Sequence, residues 1–302
     1  FPTRRSSDLN TTKYLYAQIV IIITKFVANG KRIVCNIARK KVYSVKENKT
    51  QTVVITGSAR GFGLCQAKKF KEKGFNVVIS DINAANLAKA MDELSGIHPE
   101  QTRAVSVVCD VTRLSDLEKL WSSAVKEFGS VDIWINNAGV NSPDKPVCEL
   151  TDKEIAFILD VDLKGTVLGS KVAFAGMKEQ GYGQIYNVEG YGSNDAMMTG
   201  LTMYGTAKRA VTYFTRSLAK ESHDLTGDKV KVCRLTPGIM ITDFITHANG
   251  DATTIELPEK TKKVYNILGD YPDTIVDYVV PRIDQKQKER WKNCLADGQK
   301  SL

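Results

Sequence analysis

Between residue 51 and about residue 245 the chain alternates short β-branched runs with longer stretches of helical spacing, and this alternation restricts the fold more than any other feature. Thr52-Val53-Val54-Ile55-Thr56 reads as a strand, a Gly-rich turn follows, and Leu64 to Lys73 has helical spacing. Gly74 ends that helix, and Asn76-Val77-Val78-Ile79-Ser80 gives the second strand. Ala104–Val108, Ile133–Asn136, Gln184–Val188 and Val230–Leu235 read as further strands. Leu114–Phe128, Lys153–Lys178 and Tyr204–Ser222 read as helices between them. Strands that alternate with helices return to the same end of one sheet, so the expectation is α/β, a doubly wound parallel sheet with right-handed crossovers. Pro272 and Asp273 open a last helix over Thr274–Val280; no convincing final strand is legible, and a charged tail, 282–302, is expected to fray.

The turn after the first strand sharpens this into a single Rossmann-like domain, placed at 51–281. Its glycines are Gly57, Gly61 and Gly63, with Ser58, Arg60 and Phe62 between them. A Gly-rich turn between a strand and a helix lets backbone approach a pyrophosphate, whose charge the helix N-terminus favours. Asp81 closes the second strand, where a carboxylate accepts hydrogen bonds from an adenosine ribose and repels a 2′-phosphate, which favours NAD over NADP. Arg60 pulls the other way, since a basic side chain in the turn can meet that phosphate.

Charge is what makes the first 50 residues a separate extension. The chain of 302 residues carries +8, but residues 1–50 hold 11 Lys and Arg against 2 Asp and Glu, leaving 31 against 32 in the rest. The body therefore has no basic footprint for nucleic acid. Phe1 to Leu9 resembles the translated read-through of a sequencing adapter, or else the remnant of an Arg- and Ser-rich transit peptide, and is set aside from the fold. Residues 14–28 form an apolar run, interrupted by Gln18 and Lys25 and too short for a spanning helix, with Lys31, Arg32, Arg39, Lys40 and Lys41 behind it. Such a segment lies on an anionic membrane surface through 14–41 or packs against protein. The six scattered cysteines, with no C-x-x-C pair, fit reduced thiols and a cytoplasmic location, membrane-associated if the basic segment docks. No metal-ligand spacing is present.

Tyr204 and Lys208 lie four residues apart, hence on one helix face. A phenol titrates near pH ~10 when unperturbed, and an adjacent ammonium favours the phenolate, so Lys208 makes Tyr204 a candidate general acid/base.

Together these motifs resemble the short-chain dehydrogenase/reductase family over residues 51 to about 245. They are Thr56-Gly57 to Gly63, Asp110-Val111, Asn136-Asn137-Ala138-Gly139, Tyr204 to Lys208, and Pro237-Gly238 with Thr242. The resemblance implies hydride transfer between a nicotinamide cofactor and a small carbonyl/alcohol substrate, in a homo-oligomer. It implies that Asp110, with Val111 beside it, contacts adenine and that Asn137, Ala138 and Gly139 line the cofactor cleft. Lys208 would also bind the nicotinamide ribose, and Pro237, Gly238 and Thr242 would lie near the carboxamide. Relatives hold the substrate oxygen with a Ser directly after the strand; here Asn187-Val188-Glu189-Gly190-Tyr191-Gly192-Ser193 leaves Ser193, or else Tyr191, for that task. A small hydroxyl on a Gly-flanked loop approaches a substrate more closely than a phenol, which favours Ser193. Asp162 stands where relatives carry Asn in the proton relay; it accepts the same hydrogen bonds but cannot donate them when ionised. The local wording around Asp132 to Gly139, Val188 to Ser193 and Tyr204 to Arg209 is similar to the chlorophyll b reductase-like branch. Residues 243–268, with Phe244, Ile245 and Ile255, are expected to cover the substrate, and His247 reads as a surface residue. The alternative from another class is a non-catalytic dinucleotide-binding or scaffold protein, motivated by the altered serine loop and by Asp162.

Overall fold

The computed structural model describes residues 50–98, 100–240 and 269–288. The extension, the 14–41 segment, Thr242 and the expected substrate cover at 243–268 lie outside the described residues, as does the tail from 289. Among the described residues no helix is long and apolar enough to cross a membrane.

Six parallel strands form the central sheet in the order β3-β2-β1-β4-β5-β6. They are β1 (Thr52–Thr56), β2 (Asn76–Asp81), β3 (Ala104–Val108), β4 (Ile133–Asn136), β5 (Gly183–Val188) and β6 (Val230–Leu235). The register sets Val53 of β1 opposite Val77 of β2 and Ile133 of β4. Because the chain order reverses at β1, the crossovers leaving β1 and β4 go to opposite faces and open a crevice at the carboxyl ends of the two strands.

Continuous apolar runs form these strands because both faces are covered. Alternate residues take opposite faces, so Val53, Ile55, Val77, Ile79, Ile133 and Ile135 pack into one core and Val54, Val78 and Trp134 into the other. Each fully buried side chain of this kind contributes roughly 1.5–3 kcal/mol relative to exposure. Helices α1 (Gly61–Glu72) and α2 (Ala84–Ser95) cover the first face. The second is covered by α3 (Leu114–Phe128), α5 (Thr166–Gln180) and α6 (Thr202–Thr226).

The expected strands are present, and three helical regions differ from expectation. α2 was not anticipated; the Asn83 side chain caps it by accepting from Asn86 N at 3.0 Å, and it buries only Leu87, Ala90 and Leu94. The expected long helix from 153 is three helical pieces in series: α4 (Asp152–Ile158), a π-helical turn (Leu159–Gly165) and α5. Wide turns of this kind cluster at functional sites, and this one carries Asp162.

The last helix, α7 (Pro272–Lys288), runs past Val280 and through Pro281 where fraying was expected. Ile275, Val276, Val279, Val280 and Ile283 are all buried in the first core, so the apolar stripe continues beyond the proline and holds the helix to the body. A short parallel pair, β7 (Ile239–Met240) with β8 (Gly269–Asp270), joins the segment after β6 to the approach to α7.

Candidate active site

The crevice begins at the turn after β1. Gly57 has φ +60°, and a Cβ there would fall 2.6 Å from the Ala138 Cα, so only glycine lets the two loops meet. Asn137 locks them: its Nδ2 donates to Thr56 O at 2.9 Å and Gly57 O at 2.8 Å, while Thr56 Oγ1 accepts from the Asn137 and Ala138 amides. Asn136 accepts from Trp134 Nε1 of its own strand and donates to Ser170 Oγ of α5 and Asn187 Oδ1 of β5, all at 2.8–2.9 Å, which ties β4 to both elements.

Beyond this seam α1 presents its N-terminus. Its cap residue Arg60 supplies no side-chain hydrogen bond and its first turn holds no acid, so the amides there are left for an anion. Gly61 and Gly63 belong to that first turn, and the space beside Gly61 is open. Ser58 and Phe62 were expected in the cofactor site, but their side chains face inward. Ser58 Oγ bridges Ile55 O and Ser80 N across β1 and β2, and Phe62 joins the first core. Only their backbone reaches the turn.

Asp81 stands at the end of β2 with one carboxylate oxygen accepting from Asn83 N at 3.0 Å; the other has no partner among the described residues. Asp110 is folded into its own loop, accepting from Thr112 N and Oγ1 and lying 3.4 Å from Arg113 Nε. Val111 packs its side chain against Gly165. Pro237 and Gly238 follow β6 after Thr236.

α6 carries the candidate acid/base pair. Tyr204, Ala207, Lys208, Val211, Thr212, Thr215 and Leu218 are its buried stripe, at helical spacing, and Gly227 in the left-handed conformation ends it. Tyr204 is 8% exposed and Lys208 4%, with the ammonium 5.4 Å from the phenol ring centroid. Lys208 Nζ lies 3.3 Å from Asp162 Oδ1, which also accepts from Val140 N at 3.1 Å. Asp162 Oδ2 is buried with no hydrogen-bond partner among the described residues. Gly139 makes this approach feasible, since a Cβ there would fall 2.7 Å from Asp162 Oδ1.

Burial raises the Asp162 carboxyl above the usual carboxylate range, and Lys208 and the Val140 amide reverse this only in part. For Lys208, burial disfavours the ammonium, but Asp162, then Tyr204, then Glu189 outweigh it and leave its pKa above the usual lysine value. The lysine is therefore held charged beside the phenol, at the cost of a carboxylate that shares its charge.

The loop after β5 completes the floor. A Cβ at Gly190 would land on the Tyr204 hydroxyl, so a bare backbone forms the wall behind that group. Ser193 sits behind the same wall: its Oγ accepts from Gly190 N at 3.2 Å and faces Lys208 O at 3.4 Å. The expected substrate hydroxyl is thus committed to backbone, while Tyr191 is half-buried at the start of the turn. Glu189 was not anticipated as a site residue. A carboxylate directly after a buried strand was the signal, but its partners come from residues 212, 234 and 236, which spacing alone does not bring together.

The seam, the free helix N-terminus and the unpartnered Asp81 oxygen fit a dinucleotide laid across the carboxyl ends of β1 and β4. The chain is 32% identical over 248 residues to the chloroplastic protein of Arabidopsis thaliana named probable chlorophyll(ide) b reductase, covering 77% of this chain. It spans about half the length of that relative, 48%. A chloroplastic chlorophyll(ide) b reductase of Oryza sativa subsp. japonica is 34% identical over 76% of this chain and 66% of its own. Diacetyl reductase of Staphylococcus epidermidis is 32% identical over 65% of this chain and 73% of its own.

Among solved structures, levodione reductase superimposes with a TM-score of 0.68 at 22% identity over 81% of this chain and 93% of its own, a likeness of fold. The 3-ketoacyl-(acyl-carrier-protein) reductase of Brucella melitensis, complexed with NADH, reaches 0.65 at 25% identity over 76% of this chain and 89% of its own. The model of the short chain dehydrogenase family matches residues 51–252, and the chain belongs to that family.

Proposed function

We propose that the chain is a nicotinamide-dependent oxidoreductase acting on a carbonyl/alcohol pair, with Tyr204 as its general acid/base. The observation that carries this reading is the buried pair on α6, with Lys208 beside the Tyr204 ring and the Tyr204 hydroxyl against the bare Gly190 backbone. A bound nicotinamide supplies or accepts the hydride at carbon. Tyr204 donates a proton to the substrate oxygen, or accepts one in the alcohol direction, and Lys208 keeps the phenol within reach of its anion. Gly57, Gly61 and Gly63, with the α1 N-terminus, would hold the pyrophosphate; Asp110, Val111, Asn137, Ala138 and Gly139 would line the rest of the cleft, and Pro237 and Gly238 its nicotinamide end. The unpartnered Asp81 oxygen favours NAD, with NADP as the alternative that Arg60 would serve. Because Ser193 is held by backbone, its part is to shape the turn, and the substrate oxygen rests on Tyr204. The relatives' printed names motivate carbonyl substrates from small diketones to formyl groups on large rings.

A panel spanning that range, offered with NADH and with NADPH and followed by loss of nicotinamide absorbance, tests the reading. Consumption with at least one carbonyl, faster with NADH, is expected. A second reading, a non-catalytic dinucleotide-binding protein, is favoured by the committed Ser193 hydroxyl and by Asp162; tight cofactor binding without any consumption would establish it and remove the first.

Asp162 makes a separate expectation. Its negative charge offsets part of the Lys208 charge felt by Tyr204, so Asp162→Asn leaves the ammonium uncompensated and acidifies the phenol. The Tyr204 limb of the pH–rate profile is expected to move toward acid by about one pH unit, each unit being ~1.4 kcal/mol. An unmoved limb would show that the carboxylate is already neutral there.

A further inference from the structure

Glu189 is among the most completely held side chains in the protein and takes no part in the site as the family resemblance lays it out. Its side chain is 0% exposed, and four hydrogen bonds from three places reach it. Thr212 Oγ1 of α6 donates at 2.8 Å, Arg234 of β6 donates through Nε at 2.6 Å and Nη2 at 3.0 Å, and Thr236 Oγ1 donates at 2.6 Å. The backbone follows suit, with Glu189 N donating to Leu235 O at 2.8 Å. A two-pronged Arg–carboxylate pair fixes geometry as well as charge.

The Glu189 carboxylate is wholly buried while its partner Arg234 is 37% exposed, and taking a carboxylate out of water offsets much of what such a pair contributes, so its presence at a strand end calls for another reason. Its neighbours supply one. The next residue, Gly190, is the wall behind the Tyr204 hydroxyl. Thr212 lies one turn after Lys208 and shares its hydroxyl between Glu189 Oε1 and Lys208 O, the latter at 3.1 Å. We infer that Glu189 is a positioning residue for Tyr204 and Lys208: it clamps the strand end carrying Gly190 to the helix carrying the pair, so that the phenol keeps its place. This rests on the reading of Tyr204 as acid/base. The charged and titratable groups around the clamp are Arg234 on β6, Lys208 and Tyr204 on α6, and Asp162 beyond Lys208.

The test is Glu189→Gln in the full chain, alone and combined with Tyr204→Phe. If Glu189 acts through Tyr204, kcat falls about tenfold or more while cofactor Kd stays within about twofold, and in the Tyr204→Phe background the substitution has no further effect. A kcat within about twofold of the parent, or a loss that adds in full to that of Tyr204→Phe, overturns the inference. A second arm needs no turnover. The ultraviolet titration of Tyr204, identified by its disappearance in Tyr204→Phe, should move toward acid in Glu189→Gln, because Arg234 is left uncompensated; an unmoved titration overturns the inference. If no carbonyl on the panel is consumed, the proposed function fails and this second arm alone decides. If Glu189→Gln does not fold, Thr212→Val, which removes one strut of the clamp and leaves Arg234 paired, is carried through the kinetic measurements with the same expected and contrary results, and no acid shift is expected of it.

Discussion

Tyr204→Phe is expected to lower carbonyl turnover by about a hundredfold to ten-thousandfold, the usual worth of a positioned proton donor, with cofactor affinity within about twofold of the parent. The substitution removes one oxygen from a ring that remains packed at 8% exposure, so the helix stripe it belongs to stays intact and stability changes little. The loss should fall on kcat and kcat/KM alike, because the proton is needed only as charge develops on the substrate oxygen. Steady-state kinetics with whichever carbonyl the panel identifies would check it. Lys208 does not replace the missing hydroxyl, since its ammonium is already paired with Asp162 at 3.3 Å.

Gly190→Ala is expected to cost nearly as much without touching a reacting group. A Cβ there would fall 2.2 Å from the Tyr204 hydroxyl, a clash, and neither side yields easily. The wall is pinned through Glu189 on one side and the Ser193 turn on the other, and Tyr204 is rooted in the first turns of α6. The phenol must therefore be displaced, and a misplacement of about 1 Å lowers rate by about a hundredfold. Cofactor affinity should survive, because Gly57, Asn137 and the α1 N-terminus lie on the other side of the crevice. Parental kcat in Gly190→Ala would show that the Tyr204 hydroxyl works elsewhere.

Much of this was legible in the chain itself. The continuous apolar runs from Val53 to Ile55 and Val77 to Ile79 announced strands because a sheet covered on both faces needs apolar residues at every position. Tyr204 and Lys208 were legible because a helix converts a spacing of four into a shared face. α2 was missed although Leu87, Ala90 and Leu94 recur at helical spacing; its apolar face is narrow, with Met91 the only other apolar side chain partly buried beside those three. The π-helical turn at Asp162 was invisible for a different reason: its apolar spacing is that of an ordinary helix, and only the packing of Gly139 and Lys208 against Asp162 shows what the wider turn presents. The bonds that hold the Ser193 hydroxyl were not legible because its donor and acceptor, Gly190 N and Lys208 O, are backbone atoms that no residue type reveals. Glu189 illustrates the same limit, since Arg234 meets it only through the register that sets Asn187 opposite Arg234 and Val188 opposite Leu235.

The pairing of phenol and ammonium on α6 is the centre of this account, and the pH dependence of hydride transfer in single turnover, compared between the parent and Tyr204→Phe, addresses it most directly. The parent should show an ionisation below the ordinary phenol value of about 10, reflecting the adjacent Lys208, and that ionisation should vanish with the hydroxyl. The same ionisation and a comparable rate in Tyr204→Phe would contradict the assignment of Tyr204 as the acid/base.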